Sequence, residues 1–198
     1  MKFLPKFIII LSLNLGASSI YAQTIEEIRN ISNFKGIHIS SGMDLYVKQG
    51  SVESVKIVAD KDKMDKIKTE KEGDILKIFA GSSKGWFNFE FDWSNRKTIK
   101  VYVTVKNLNS IAATGGSDVI LSGTATVFKA SSTGGSDLKA SKLRSNFCSI
   151  SSTGGSDAYV WAEKEISISA TGGSDVYHKG GARVVKSSST GGSDIHQQ

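Results

Sequence analysis

The chain has 198 residues, 25 Lys and Arg against 19 Asp and Glu, a formal charge of +6 and one cysteine. Its charges are interspersed without a basic stripe, which argues against nucleic acid as a partner. One cysteine excludes an intrachain disulfide, so stability has to come from packing and backbone hydrogen bonding.

Lys2 and Lys6 open the chain, the apolar run FIIILSLNLGA comes next, and IYA stands before Gln23. This is the pattern of a secretory signal peptide over residues 1–22, cleaved after Ala22. A membrane anchor is the competing reading, and the run is short for a span. No cysteine stands after it to carry lipid. The remaining chain, 23–198, keeps a charge of about +4 and has no second run long enough for a membrane helix. The expectation is an exported protein, periplasmic, cell-surface or extracellular, without stable membrane insertion.

Residues 23–107 read as an antiparallel β region that caps the C-terminal half of the chain. GIHISSGMDLYVKQG and ESVKIVAD alternate apolar and polar positions at the period of a strand. In KDKMDKIK, Met64 and Ile67 are three apart, which fits a short helix. Gly73-Asp74 before ILKIFA marks a hairpin, and TIKVYVTV places Ile99, Val101, Val103 and Val105 on one face. Between them lies KGWFNFEFDWSNR, where Phe87, Phe89, Phe91 and Trp93 alternate with Asn88, Glu90 and Asp92. Such a stretch is either a half-buried strand or a protruding hairpin that offers Trp86 and Trp93 to a sugar ring or a partner.

Residues 108–198 repeat Thr-Gly-Gly-Ser-Asp, at Thr114–Asp118, Thr133–Asp137, Thr153–Asp157, Thr171–Asp175 and Thr190–Asp194, in steps of 19, 20, 18 and 19 residues. A period of this size marks a solenoid. Five before each threonine stand Asn109, Phe128, Cys148, Ile166 and Val185; three before stand Ile111, Ala130, Ile150, Ile168 and Ser187. These positions form an inward face that narrows to Ala or Ser just before the corner. Val119, Leu138, Ala158, Val176 and Ile195 continue it after the aspartate. The expected fold is all-β, an antiparallel N-terminal region with one short helix and then a parallel β-solenoid of about five rungs. A meander of short hairpins is the alternative, but only parallel stacking sets the same pentapeptide opposite itself.

The glycine pairs Gly115-Gly116, Gly134-Gly135, Gly154-Gly155, Gly172-Gly173 and Gly191-Gly192 suit a sharp corner that needs positive φ. By parity the Thr and Asp point out and the Ser tucks in. Asp118, Asp137, Asp157, Asp175 and Asp194 then form a column. Unit charges about 4.8 Å apart repel by roughly 1 kcal/mol in water and more at lower dielectric. Two arrangements offset this: carboxylates that accept hydrogen bonds from corner N–H groups, or a cation shared between rungs. Calcium wants six to eight oxygens, and one Asp and one Thr per rung supply few, so the aspartate is read mainly as a corner residue with weak calcium binding as the other reading. No other cofactor is expected. Tyr159 and Tyr177 each come two residues after a repeat aspartate, and should form an outward patch.

Cys148 falls on the inward face, as a buried hydrophobe rather than a nucleophile. His38, His178 and His196 show no ligand spacing, and neither a nucleophile triad, a phosphate loop nor a zinc pattern is present.

A leader, the opening FKGIHIS…MDLYVKQG, the pair GDILKIF and KVYVTV, and serine/glycine corners every 18 to 20 residues resemble the family named putative auto-transporter adhesin, head GIN domain. The resemblance covers about Phe34 to Asp194, and implies an exported protein with β-helical stacking and a surface or adhesion role. It brings no catalytic residues. The functional expectation is a non-enzymatic adhesin-like or scaffold module. The runner-up is a carbohydrate-binding protein using Trp86, Trp93, Tyr159 and Tyr177; a carbohydrate-active enzyme comes third. Partners would be a glycan or surface protein, or a second copy paired through the C-terminal edge of the solenoid.

Overall fold

The computed structural model describes residues 23–81 and 99–198. The first part holds β1 (Thr24–Arg29), β2 (Gly36–Ile39), β3 (Asp44–Gln49), β4 (Ser54–Asp60), α1 (Lys61–Met64), β5 (Ile67–Glu72) and β6 (Ile75–Ala80). Next come β7 (Lys100–Val105), β8 (Ser110–Thr114) and three long strands, β9 (Val119–Thr133), β10 (Leu138–Gly154) and β11 (Ala158–Gly172). The chain ends in β12 (Val176–Lys179), β13 (Arg183–Gly191) and β14 (Ile195–Gln197).

Every neighbour pair between β8 and β14 is parallel, and Thr133, Thr153, Thr171 and Thr190 face one another in register. Identical corners therefore stack, as the repeat predicts, and the meander is excluded. Alternation along each strand drives this: β10 buries Leu138, Ala140, Leu143, Cys148 and Ile150 and exposes Lys139, Lys142, Arg144, Phe147 and Ser149. A slip of one residue would turn that buried set to solvent.

The parallel stack also reaches into the N-terminal region. β2 lies between β6 and β8, and β3 between β7 and β9, all parallel. Among the described residues only β1, β4 and β5 pair antiparallel, β4 on β7 with β1 outside it, and β5 on β6. They cover the edge of the first rung, the liability of an open sheet. Gly73-Asp74 closes the β5–β6 hairpin, with Gly73 at φ +57. α1 carries the chain from β4 to β5 and buries Met64, whereas Ile67, which the spacing set on the same helix, is buried as the first residue of β5.

The inward column departs from expectation at its ends. Phe128, Cys148 and Ile166 are buried, whereas Asn109 and Val185 are exposed. Val185 is the extra residue of a bulge, because Ile166 pairs Val184 and Ser167 pairs Lys186. Ser187 is exposed with the rest of β13, which among the described residues has a strand neighbour on one side only. Asn109 precedes β8 and its side chain lies outside the core.

Candidate functional site

The corner serines are buried: Ser117, Ser136, Ser156 and Ser174 at 0 % exposure and Ser193 at 5 %. The corner threonines face out. In the earlier corners the serine hydroxyl receives the backbone of the preceding rung. Gly116 and Ser117 N–H donate to Ser136 Oγ at 3.1 and 3.0 Å, and Gly135 and Ser136 N–H donate to Ser156 Oγ, each at 3.2 Å. In the later corners the serine donates instead, Ser174 Oγ to Gly154 O at 3.0 Å and Ser193 Oγ to Gly172 O at 2.9 Å.

The glycines change with it. Gly115, Gly116, Gly134 and Gly135 all have positive φ, but in the last three corners only Gly154, Gly172 and Gly191 do. Gly155, Gly173 and Gly192 take an ordinary backbone, so the expected left-handed pair holds in two corners and a single left-handed glycine serves the rest. In the later form Gly173 N–H donates to Gly154 O at 2.8 Å.

At three of the four steps of the column an aspartate carboxylate accepts the N–H of the next rung's aspartate. Asp137 N–H donates to Asp118 Oδ1 at 3.3 Å, Asp157 N–H to Asp137 Oδ1 at 3.4 Å, and Asp194 N–H to Asp175 Oδ1 at 3.1 Å. A carboxylate that accepts the next rung's amide offsets the repulsion of its neighbours without a metal. At the last corner the geometry gathers Asp175, Asp194 and His196, with one ligand-type atom from each within 4.8 Å of the others. Sequence spacing gave His196 no such partners, because Asp175 belongs to the previous rung.

A copy of the corner escaped the sequence pattern. Ser40-Ser41-Gly42-Met43-Asp44 joins β2 to β3 where Thr114–Asp118 joins β8 to β9, and Ser41 (φ 70) and Gly42 (φ 69) take the two left-handed places. Met43 N–H donates to Ser117 Oγ at 3.3 Å, as a corner should. The signal available was Gly42 and Asp44 between the Ile37/Ile39 and Leu45/Val47 alternations.

Two positions past each aspartate runs an outward column. Tyr159 and Tyr177 stack with centroids 4.7 Å apart and planes 7° from parallel, and His196 continues the stack 4.8 Å beyond Tyr177. Both tyrosines are half-buried and His196 is exposed. Desolvation first, then Asp175, Tyr159 and Asp157, hold the Tyr177 phenol above its ordinary value. At the N-terminal end Tyr46 and Tyr102 stack in the same column at 5.1 Å, with Lys56 over Tyr102. Trp86 and Trp93 lie outside the described residues.

Cys148 is buried, and burial pushes its thiol up to about 12, the state of a packed hydrophobe. His178 turns inward at 4 % exposure, and burial lowers its imidazole. Its Nδ1 is buried with no partner among the described residues.

A polar cleft of about 670 Å³ lies at the opposite bend of the rungs, where Lys106, Asn109, Thr124, Arg144 and Glu163 meet. Apart from Asn109, which the repeat set on the inward face, none of these residues stands out in the sequence, because they come from separate rungs. Among the described residues no helix is long and apolar enough to cross a membrane.

Fold and surface together define a capped β-solenoid whose corners repeat threonine and aspartate outward along the stack. The chain belongs to the family described as "Putative auto-transporter adhesin, head GIN domain", which matches residues 33–121 and 110–182. Among solved structures it is similar in fold to a putative adhesin from Bacteroides fragilis, at 19% identity and TM-score 0.50, covering 90% of this chain and 98% of that one. A putative adhesin from Parabacteroides merdae matches at 11% identity and TM-score 0.47, over 89% of this chain and 96% of that one. A putative lipid binding protein from Parabacteroides distasonis matches at 16% identity and TM-score 0.46, over 88% and 96%. No curated protein matches.

Proposed function

We propose that this protein is an exported, non-catalytic adhesin-like module that recognises a glycan or surface protein through the lateral face of its solenoid. The observation that carries the reading is the ladder Tyr159–Tyr177–His196, three rings stacked at 4.7 and 4.8 Å on successive rungs. Rings locked against one another by the sheet spacing present a rigid ridge of ring edges and polar tips that loses little conformational entropy on binding. Membership of the adhesin family and the leader-like residues 1–22 support export and a surface role. The aspartate column acts as architecture in this reading, since three of its five carboxylates, Asp118, Asp137 and Asp175, already accept backbone N–H groups.

The test is an array of glycans and matrix proteins probed with residues 23–198, once with calcium and once with chelator. The expected result is binding that falls at least tenfold in the Tyr159→Ala/Tyr177→Ala double variant and is the same in both buffers. Binding untouched by that variant sinks the ladder as the recognition surface; loss in chelator turns the aspartates from corner to cation site.

A further inference from the structure

The cleft at the second bend is a different surface, at the far end of each rung from the Thr-Gly-Gly-Ser-Asp corner. It crosses four successive rungs, drawing Lys35 from the lead into β2 and Gln49 from the end of β3. Lys106 comes from the segment between β7 and β8, Arg144 from β10 and Glu163 from β11. Three rung steps of about 4.8 Å make it roughly 14 Å long.

Its walls are built. Gln49 lays its amide against the bend of β9: Thr124 N–H donates to Gln49 Oε1 at 2.7 Å, and Gln49 Nε2 donates to Thr124 O at 2.7 Å. The bend can accept that side chain only because residue 123 is glycine. Its φ is 143°, and a Cβ there would stand 2.4 Å from Gln49 Oε1. On the other side Arg144 is held by two groups. Its guanidinium lies 4.5 Å over the Trp161 ring, and its Nη1 is 3.9 Å from Glu163 Oε1. Glu163 is fixed in turn by Trp161 Nε1–H, which donates to it at 2.7 Å. Stacking and pairing together hold a planar cation in place before any ligand arrives, while 63% of the side chain stays exposed.

Charge and lining indicate what such a cleft takes. Lys35 is paired with Asp74 at 3.5 Å, while Lys106 and Arg144 stand against one carboxylate, Glu163, so the cleft keeps a net positive charge. Asn107, Asn109 and Asn146 add side-chain amides, groups that pair with hydroxyls as both donor and acceptor. An apolar ligand would leave these groups unpaired, and a bare anion would use only the cations. From this we infer that the cleft is a binding site for an anionic oligosaccharide, a short uronate-bearing chain whose carboxylate is taken by the Arg144 fork and whose hydroxyls meet the asparagines. The inference goes beyond the adhesion reading above and uses none of its residues.

The probe is a tetramer of galacturonic acid, titrated calorimetrically into residues 23–198, with its methyl ester as the uncharged counterpart. Inorganic phosphate and phosphatidylglycerol vesicles serve as other sources of negative charge. The expected result is saturable binding of the tetramer, at least tenfold weaker for the ester, and tighter than for phosphate or vesicles. Arg144→Ala should weaken it at least tenfold, and Arg144→Lys by a smaller factor because the charge stays and the fork is lost. Tyr159→Ala/Tyr177→Ala should leave it unchanged, so this site and the ladder can fail separately. A circular dichroism spectrum and urea midpoint matched to the parent keep the Arg144 variants interpretable, and Arg144→Lys carries the test if the alanine variant unfolds. No binding at millimolar tetramer, equal affinity for the ester, or tighter binding of vesicles or phosphate would each overturn the inference, as would indifference to both Arg144 changes.

Discussion

Gly135 and Gly155 hold the same place in the same pentapeptide but carry different backbone constraints. Gly135 sits at φ +79, a region where a Cβ is strained, whereas Gly155 does not have positive φ; neither would bring a new Cβ within 4 Å of another atom. Gly135→Ala should therefore cost about 1–2 kcal/mol. Gly155→Ala should be neutral, or stabilise by about 0.5 kcal/mol through a less flexible unfolded chain. Urea denaturation of the two variants side by side checks this, and equal losses would refute the difference between the corners. Nothing in the pentapeptide distinguishes the two glycines; the difference is set by which way the rung's amide and carbonyl face. What the sequence does show at this scale is side: serine in, threonine and aspartate out, cysteine packed.

At the scale of the corner as an element, serine is the link between rungs. Ser156 Oγ accepts the N–H groups of Gly135 and Ser136 and donates to Thr153 O at 3.2 Å. Ser156→Ala leaves two corner amides of the preceding rung without an acceptor. A loss of about 1–3 kcal/mol is expected from a buried unmet donor, read as a lower urea midpoint with an unchanged slope. No loss would mean that water replaces the hydroxyl. The repeat made these corners legible because their residues are identical and evenly spaced. The corner at Ser40–Asp44 was not, since Ser41 and Met43 replace a glycine and the serine, and only the parallel register of β2 and β3 exposes the equivalence. The parallel role of β6 and β7 was hidden for a related reason: residues 82–98 separate them in the chain.

Across the whole molecule, stability should grade along the stack, because each rung contacts only its neighbours. β9 and β10 have strand neighbours on both sides, while β13 is exposed along its full length and, among the described residues, pairs only β11. Hydrogen exchange is expected to show the amides of β13 and β14 exchanging fastest and those of β9 and β10 slowest. Uniform protection would point to a second molecule covering that edge. The solenoid could be read from one chain because its signal is local and periodic. The cleft could not, because Lys35, Gln49, Arg144 and Glu163 are far apart in sequence and become neighbours only through the rung count.

The register of the first two rungs has a consequence for engineering. Asp44 N–H donates to Ile99 O at 3.1 Å and Ser40 N–H to Ile78 O at 3.1 Å, so Gly81 and Ile99 stand beside the adjacent pair Gly42 and Met43. Seventeen residues of sequence thus separate two described positions that the neighbouring rung joins directly, and both rungs keep their pairing. Corners of this kind are insertion ports. A foreign epitope grafted between the glycines of one corner would be displayed at the rim of a rigid rod, at a height chosen by the rung.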